Sequence, residues 1–119
     1  MMIVTFHKIR NEIEQEMNLA EAARKQGREG RARVCARRAA GQAIAVFHQR
    51  KTGIQPQANY YRLLCWFQEV DDVPDALKQA AARLTTRVTP EYTLPHPHDP
   101  LQDARLLIEA LLTEDEDHM

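Results

Sequence analysis

The chain has 119 residues, of which 44% are apolar and 28% charged, close to the average for soluble globular domains. This composition argues against wholesale disorder. It also argues against a membrane protein, because the longest apolar runs (43–47 and 63–67) have five residues and a spanning helix needs roughly 20. No apolar signal segment follows the first residues, so we expect a cytoplasmic protein.

The net charge of −1 hides an uneven distribution. Residues 24–51 carry nine Arg or Lys and one Glu, a net charge of +8, so the other 91 residues sum to −9. Three interpretations are open: nucleic-acid binding, pairing with acidic segments within the chain or across a dimer, and a merely solvated face. We favour pairing, because the pI is only about 6.5 and no aromatic residue interrupts the basic segment before Phe47.

Ala, Leu, Arg, Gln and Glu dominate the chain, and these residue types favour helices. A strand is conceivable only at residues 2–5. The first predicted helix covers residues 6–26, with Phe6, Ile9, Ile13 and Met17 on one face and several Glu residues between them. The pattern therefore predicts an all-α protein with an acidic, amphipathic first helix.

The second helix is predicted from residue 29 or 31 to residue 51, with an Ala-rich apolar face that contains Gly41. Small side chains allow a neighbouring helix backbone to approach closely, which explains the tolerance of Gly41. Gly53 is the predicted C-cap, and Pro56 prevents the helix from continuing.

The third and fourth helices are predicted at residues 59–69 and 74–88, with Asn59 as an N-cap and Pro74 at the start of the fourth. A proline-rich loop, residues 89–99, follows; its length is unusual for a compact helical domain and makes it a candidate partner-contacting element. Asp99 and Pro100 then open the last helix, with Asp99 as its cap.

These elements predict one domain, residues 1–119: an up-and-down four-helix bundle with an additional short helix. The core is expected at residues 6–112, and the acidic tail, residues 113–119, is expected to be frayed and solvated. Short connections predict that sequential helices are antiparallel neighbours. We expect a homodimer through the Ala-rich face or through the faces of the first two helices.

The sequence predicts no cofactor and no metal site. Cys35 and Cys65 match no metal motif and are expected to be small buried residues. His96 and His98 flank one proline, and no further zinc ligands are evident, so we expect an exposed loop. The chain contains no Ser, which excludes a serine nucleophile, and it has no Gly-rich phosphate loop.

Four features follow one another in the chain: the Ala-rich segment 36–44, the turn 53–56, the segment 84–92, and the Asp99-Pro100 start of a helix that contains Ala104 and Leu107. Their order resembles that of the HEPN domain (higher eukaryotes and prokaryotes nucleotide-binding). The resemblance covers roughly residues 9–112. Residues 87–91 are similar to a diverged form of the signature that precedes the last helix in that family.

Many HEPN proteins are ribonucleases whose site is an Arg followed a few residues later by a His. No Arg in this chain has a His five to seven positions downstream: His48 would need an Arg at 41–43, and those residues are Gly, Gln and Ala. We therefore do not expect catalysis. The resemblance implies a homodimer and a nucleotidyltransferase partner, as in toxin-antitoxin pairs.

The predicted function is a non-catalytic helical interaction module. The alternative is an RNA- or nucleotide-binding protein that uses the basic second helix, and a diverged ribonuclease is the third candidate. The candidate ligand-binding residues are Arg31 and Arg38 on that helix, with Arg24 and Arg28 as possible extensions of the same stripe, and Arg87 and Tyr92 beside and within the proline-rich loop.

Overall fold

The computed structural model describes residues 2–57, 59–86 and 98–117. It contains five helices and, within these ranges, no strand, which confirms the predicted all-α class. The helices are α1 (Met2–Lys25), α2 (Glu29–Thr52), α3 (Tyr60–Phe67), α4 (Asp75–Leu84) and α5 (Pro100–Asp117). The possible strand at residues 2–5 is wrong, because these residues form the first turn of α1.

The turn between α1 and α2 is built around Gly27, which has a φ of 76°. The Arg28 N–H donates to the Ala23 carbonyl at 2.8 Å and the Gly27 N–H donates to the Arg24 carbonyl at 3.0 Å. This pair of bonds is the Schellman arrangement, which satisfies carbonyls that the end of a helix leaves free. Because only three residues separate two 24-residue helices that pack together, α1 and α2 are antiparallel.

The predicted caps are confirmed. The Asn59 side chain accepts from the Arg62 N–H at 2.9 Å, the Asp99 side chain accepts from the Leu101 N–H at 3.0 Å, and Gly53 adopts the left-handed conformation. In each case the residue that caps the helix lies at the helix end in the sequence, so the helix end could be predicted from the residue type alone.

Two predicted boundaries are wrong. Helix α4 ends at Leu84, because the backbone N–H and the hydroxyl of Thr85 both turn back to the Ala82 carbonyl. Residues 87 and 88, where the prediction ended, lie outside the described residues. At the other end of the chain, α5 stays helical to Asp117, whereas residues 114–117 were expected to be frayed.

Helix α2 is the central element and packs against the other four helices. Asp99, directly before α5, bonds Arg24 at the end of α1, and Arg50 near the end of α2 donates to the Leu111 carbonyl of α5 at 2.8 Å. Helix α5 therefore runs in the same direction as α2 and against α1. Arg83 near the end of α4 bonds Asp103 near the start of α5, so α4 runs against α5. The helices α1, α2, α4 and α5 therefore alternate in direction, as the predicted bundle requires.

The additional helix α3 departs from the prediction that sequential helices are antiparallel. Its first residue, Tyr60, lies against Gly41, and its penultimate residue, Trp66, contacts the ring of His48. The order of these contacts shows that α3 runs in the same direction as α2. The start of α3 therefore lies beside the middle of α2 and not beside its end, and this placement has no signal in the helical periodicity.

The core contains the Ala-rich face of α2. Ala36, Ala39, Ala40, Ala43 and Ile44 have no accessible surface and pack with α1, α3, α4 and α5 in one apolar cluster. A homodimer through the Ala-rich face is therefore wrong, because the chain uses this face for its own core.

Gly41 is required by a side chain and not by a neighbouring helix backbone. A Cβ at this position would lie 2.6 Å from Cβ and Cδ1 of Tyr60. The prediction of a close neighbour at Gly41 is right, but the expected neighbour, a helix backbone, is wrong: it is the Tyr60 side chain of α3. Among the described residues, no helix is both long enough and apolar enough to cross a membrane.

Candidate functional site

The outer side of α2 carries a row of exposed basic residues, which we call the α2 basic face: Arg28, Arg31 and Arg38. Arg31, Val34, Arg38 and Gln42 follow one another at steps of three or four, so they lie along one line of the helix. At 1.5 Å per residue, Arg31 and Arg38 are about 10 Å apart along the axis. The structure thus places the two predicted α2 residues on one solvent-facing stripe.

The α2 basic face has no counter-charge within the described part of the chain. Arg28, Arg31 and Arg38 form no hydrogen bond and no ion pair with the described residues, and the same holds for Lys25 and Arg37. We expected acidic residues of α1 to pair with basic residues of α2. In the ion pair that joins these helices the charges are reversed, since α1 provides Arg24 and α2 provides Glu29. The acidic side of α1 is directed elsewhere: Glu14 pairs with Arg105 of α5 at 2.7 Å.

Arg24, a possible member of the predicted stripe, has a different role. Its Nε and Nη2 atoms donate to Glu29 at 3.0 and 2.6 Å, and its Nη1 and Nη2 atoms donate to Asp99 at 2.9 and 2.8 Å. One guanidinium thereby joins the end of α1 to the starts of α2 and α5. The hydrogen bonds from Arg24 lower the pKa of both Glu29 and Asp99. The same bonds raise the pKa of Arg24, the bonds to Glu29 having the larger effect and those to Asp99 the smaller.

A cleft of about 430 Å³ lies beside this ion pair, between α1 and α5. Its charged groups have both signs, and Arg24 and Arg105 already hold carboxylates. Because these two arginines are already paired, they give little gain to a charged ligand. The cleft is therefore a weaker candidate than the α2 basic face. Its lining residues are Met17, Glu21, Arg24, Lys25, Asp99, Leu101, Gln102 and Arg105.

Exposed aromatic side chains lie next to the α2 basic face. Tyr60, 37% exposed, packs on Gly41, and its hydroxyl is 3.5 Å from Nε2 of Gln42, one turn beyond Arg38. Tyr61, 48% exposed, follows it. Sequence reasoning missed this proximity, because Tyr60 lies 18 residues after Gln42 and no local signal places the start of α3 beside the middle of α2.

His48 is held in a structural position. Its Nδ1 lies 3.0 Å from the Ile54 carbonyl, and its ring centroid is 4.7 Å from that of Trp66 in an edge-on arrangement. His48 therefore has partners, which the sequence did not reveal.

The two cysteines are free thiols, Cys35 buried and Cys65 half-buried. In the described ranges no group of His, Cys, Asp and Glu is arranged to hold a metal ion.

Arg31 and Arg38 are brought together on one face, whereas Arg87, Tyr92 and His96 lie outside the described residues. Arg83, near the end of α4, makes a two-bond ion pair with Asp103 at 3.0 and 2.8 Å, which joins the end of α4 to the start of α5. Comparison with protein-family models, with curated proteins and with solved structures gives no match for this chain.

Proposed function

We propose that the chain is a non-catalytic helical interaction module that binds an acidic partner surface through the α2 basic face. The observation that carries the proposal is that Arg28, Arg31 and Arg38 are exposed and have no ion pair within the described residues. Glu29, the acidic residue of the same segment, is held by Arg24, so the positive charge of this face remains available to a partner.

Electrostatics gives the physical reason. Residues 24–38 contain seven Arg or Lys and one Glu, which itself holds Arg24. Like charges one or two helical turns apart repel one another, and this repulsion weakens α2 by a few tenths of a kcal/mol per pair. An acidic partner would remove the repulsion and gain long-range attraction, which raises the association rate and fixes the binding orientation.

The environment of His48 supports a non-catalytic role. A general acid or base needs a ring nitrogen that reaches the substrate. In His48 one ring nitrogen faces the Ile54 carbonyl, the ring edge packs against Trp66, and the positions from which the HEPN pattern would supply an arginine hold Gly41, Gln42 and Ala43. Membership of the HEPN superfamily, a nucleotidyltransferase partner and a homodimer all belong to this proposal. The helical bundle with a short third helix is compatible with them.

The test is binding of two acidic probes, polyglutamate and a single-stranded RNA oligonucleotide, measured by fluorescence anisotropy at low salt. We expect polyglutamate to bind and the double variant Arg31→Ala/Arg38→Ala to bind it about tenfold more weakly, because two charge contacts of up to about 1 kcal/mol each are lost.

The matched control is Lys8→Ala/Lys78→Ala, which removes the same charge from α1 and α4 and should leave binding unchanged. The proposal is wrong if polyglutamate does not bind, or if both double variants weaken it equally.

The position of Tyr60 favours the second candidate function, single-stranded RNA binding. Proteins that bind single strands combine a basic track with aromatic side chains on which bases stack. Tyr60 provides such a side chain one helical turn beyond Arg38, and the exposed Tyr61 follows it in the chain, although the basic segment itself has no aromatic residue before Phe47.

In the same assay, RNA binding through this face should weaken steeply with salt, and Tyr61→Ala should cost about 1–3 kcal/mol. RNA binding that is absent, or that is insensitive to both salt and Tyr61→Ala, would reject this second candidate and leave the first standing.

A further inference from the structure

A second charged surface lies at the opposite end of the bundle. Residues 69–75, between α3 and the first turn of α4, contain four carboxylates and no basic residue: Glu69, Asp71, Asp72 and Asp75, all exposed. Lys51, in the last turn of α2, pairs with Asp72 at 3.0 Å. This contact places the four carboxylates, which we call the acidic end, beside the end of α2.

The α2 basic face and the acidic end cannot neutralise each other within one chain. Arg31 and Lys51 are separated by 20 residues of continuous helix, which is about 30 Å along the axis. The Debye length at physiological ionic strength is about 8 Å, so the two surfaces are screened from each other. The molecule, 46 Å in its longest dimension, thus has opposite charges near its two ends.

We propose that the acidic end of a second copy of this chain binds the α2 basic face, in an antiparallel dimer. In a two-fold dimer each residue contact occurs twice, so antiparallel packing brings the basic face of each copy to the acidic end of the other. Both charge clusters are then satisfied by one closed arrangement. The inference rests on the proposed function, since it identifies the acidic partner as the chain itself.

The surface between the two charge clusters supplies apolar contact area. Val34, Gly41 and His48 recur every seven residues on one line of α2, and α3 covers this line only from Gly41 onward. Val34 therefore remains exposed, as do Tyr60 and Tyr61. A stable interface needs about 1,000 Å² of buried surface, which the charge pairs alone do not supply. These exposed side chains add apolar contact area to the interface.

Charge reversal followed by mixing tests the pairing directly. One variant reverses the basic face (Arg28→Glu/Arg31→Glu), and the other reverses the acidic end (Glu69→Lys/Asp71→Lys). All four residues are exposed and form no ion pair within the described residues, so both variants should keep the circular dichroism spectrum of the wild type.

Analytical ultracentrifugation at low salt, about 50 mM, then measures the dimer. We expect a wild-type dimer whose dissociation constant rises at least about tenfold on going to high salt, and two variants that are each monomeric. An equimolar mixture of the two variants should restore the dimer, because every contact then joins opposite charges again. A single chain with all four changes should also dimerise.

A monomeric wild type would overturn the inference, and so would a mixture that stays monomeric. These failures are distinct from failure of the proposed function, which depends on polyglutamate binding. A monomer that binds polyglutamate through Arg31 and Arg38 keeps the interaction module and removes the second copy as its partner.

Discussion

At the scale of single residues, the contact between Gly41 and Tyr60 is the tightest constraint on α2. Alanine is a better helix former than glycine by about 1 kcal/mol, so propensity alone predicts that Gly41→Ala stabilises the protein. The added Cβ would lie 2.6 Å from the Tyr60 side chain. We expect Gly41→Ala to lower the free energy of unfolding by about 1–3 kcal/mol in urea denaturation, because overpacking outweighs propensity.

Gly30 provides the matched control in the same helix. A Cβ there would meet only the end of the Arg33 side chain, at 3.6 Å. Gly30→Ala should therefore be neutral or stabilise the protein by up to about 1 kcal/mol. If both alanine variants were stabilising, Tyr60 would not lie on Gly41.

Asp99 predicts a specific dependence of stability on pH. The hydrogen bond from Arg24 holds its pKa below the ordinary value of 3.8, so its ionised form contributes stability above that value, and the contribution is lost as pH falls through the lowered pKa. Asp99→Asn can still cap α5 but loses the charge. Both partners are about one-third exposed. We therefore expect Asp99→Asn to cost only about 0.5–1 kcal/mol at pH 7.

The measurement is thermal or urea unfolding of wild type and Asp99→Asn across the acid range. The difference between the two proteins should be complete at neutral pH and vanish in acid. A difference that persisted unchanged in strong acid would show that the Arg24–Asp99 ion pair is not its source.

At the scale of helices, the Arg83–Asp103 ion pair joins α4 to α5. Asp103, 5% exposed, is the one charged residue in the buried part of the described core. Its removal would leave Arg83, itself largely buried, without its two hydrogen bonds. We expect Asp103→Ala to cost about 1–3 kcal/mol in urea unfolding. Glu109→Ala, an exposed change on the same helix, should cost under about 0.5 kcal/mol, and equal effects would refute the importance of the pair.

The helices show where sequence reasoning succeeds and where it stops. Caps such as Asn59 and Asp99 depend on residues adjacent to the helix end, so they were predictable. The direction of α3 depends on contacts with α2 between residues that are distant in sequence, and the Arg24–Asp99 bond joins residues 75 positions apart. Periodicity reports which face of a helix is buried and carries no information on which neighbour covers it.

At the scale of the molecule, the separation of charge was visible in the sequence, but its geometry was not. The net charges of +8 and −9 suggested that basic and acidic helices meet within the chain or across a dimer. In the structure Arg24 and Lys51 find acidic partners, whereas Arg28, Arg31 and Arg38 have none among the described residues. The stripe containing Arg31 and Arg38 was therefore predictable, and its lack of counter-charges required coordinates.

Thermal unfolding of the double variant Arg31→Ala/Arg38→Ala at low salt, at a protein concentration low enough that the wild type is also a monomer, tests most directly whether this face serves a partner and not the fold. Residues kept for binding usually contribute little to stability, and removing two like charges relieves repulsion. We predict a midpoint equal to or above that of the wild-type monomer. A midpoint several degrees lower would show that these arginines stabilise the chain itself, and it would contradict a binding role for the α2 basic face.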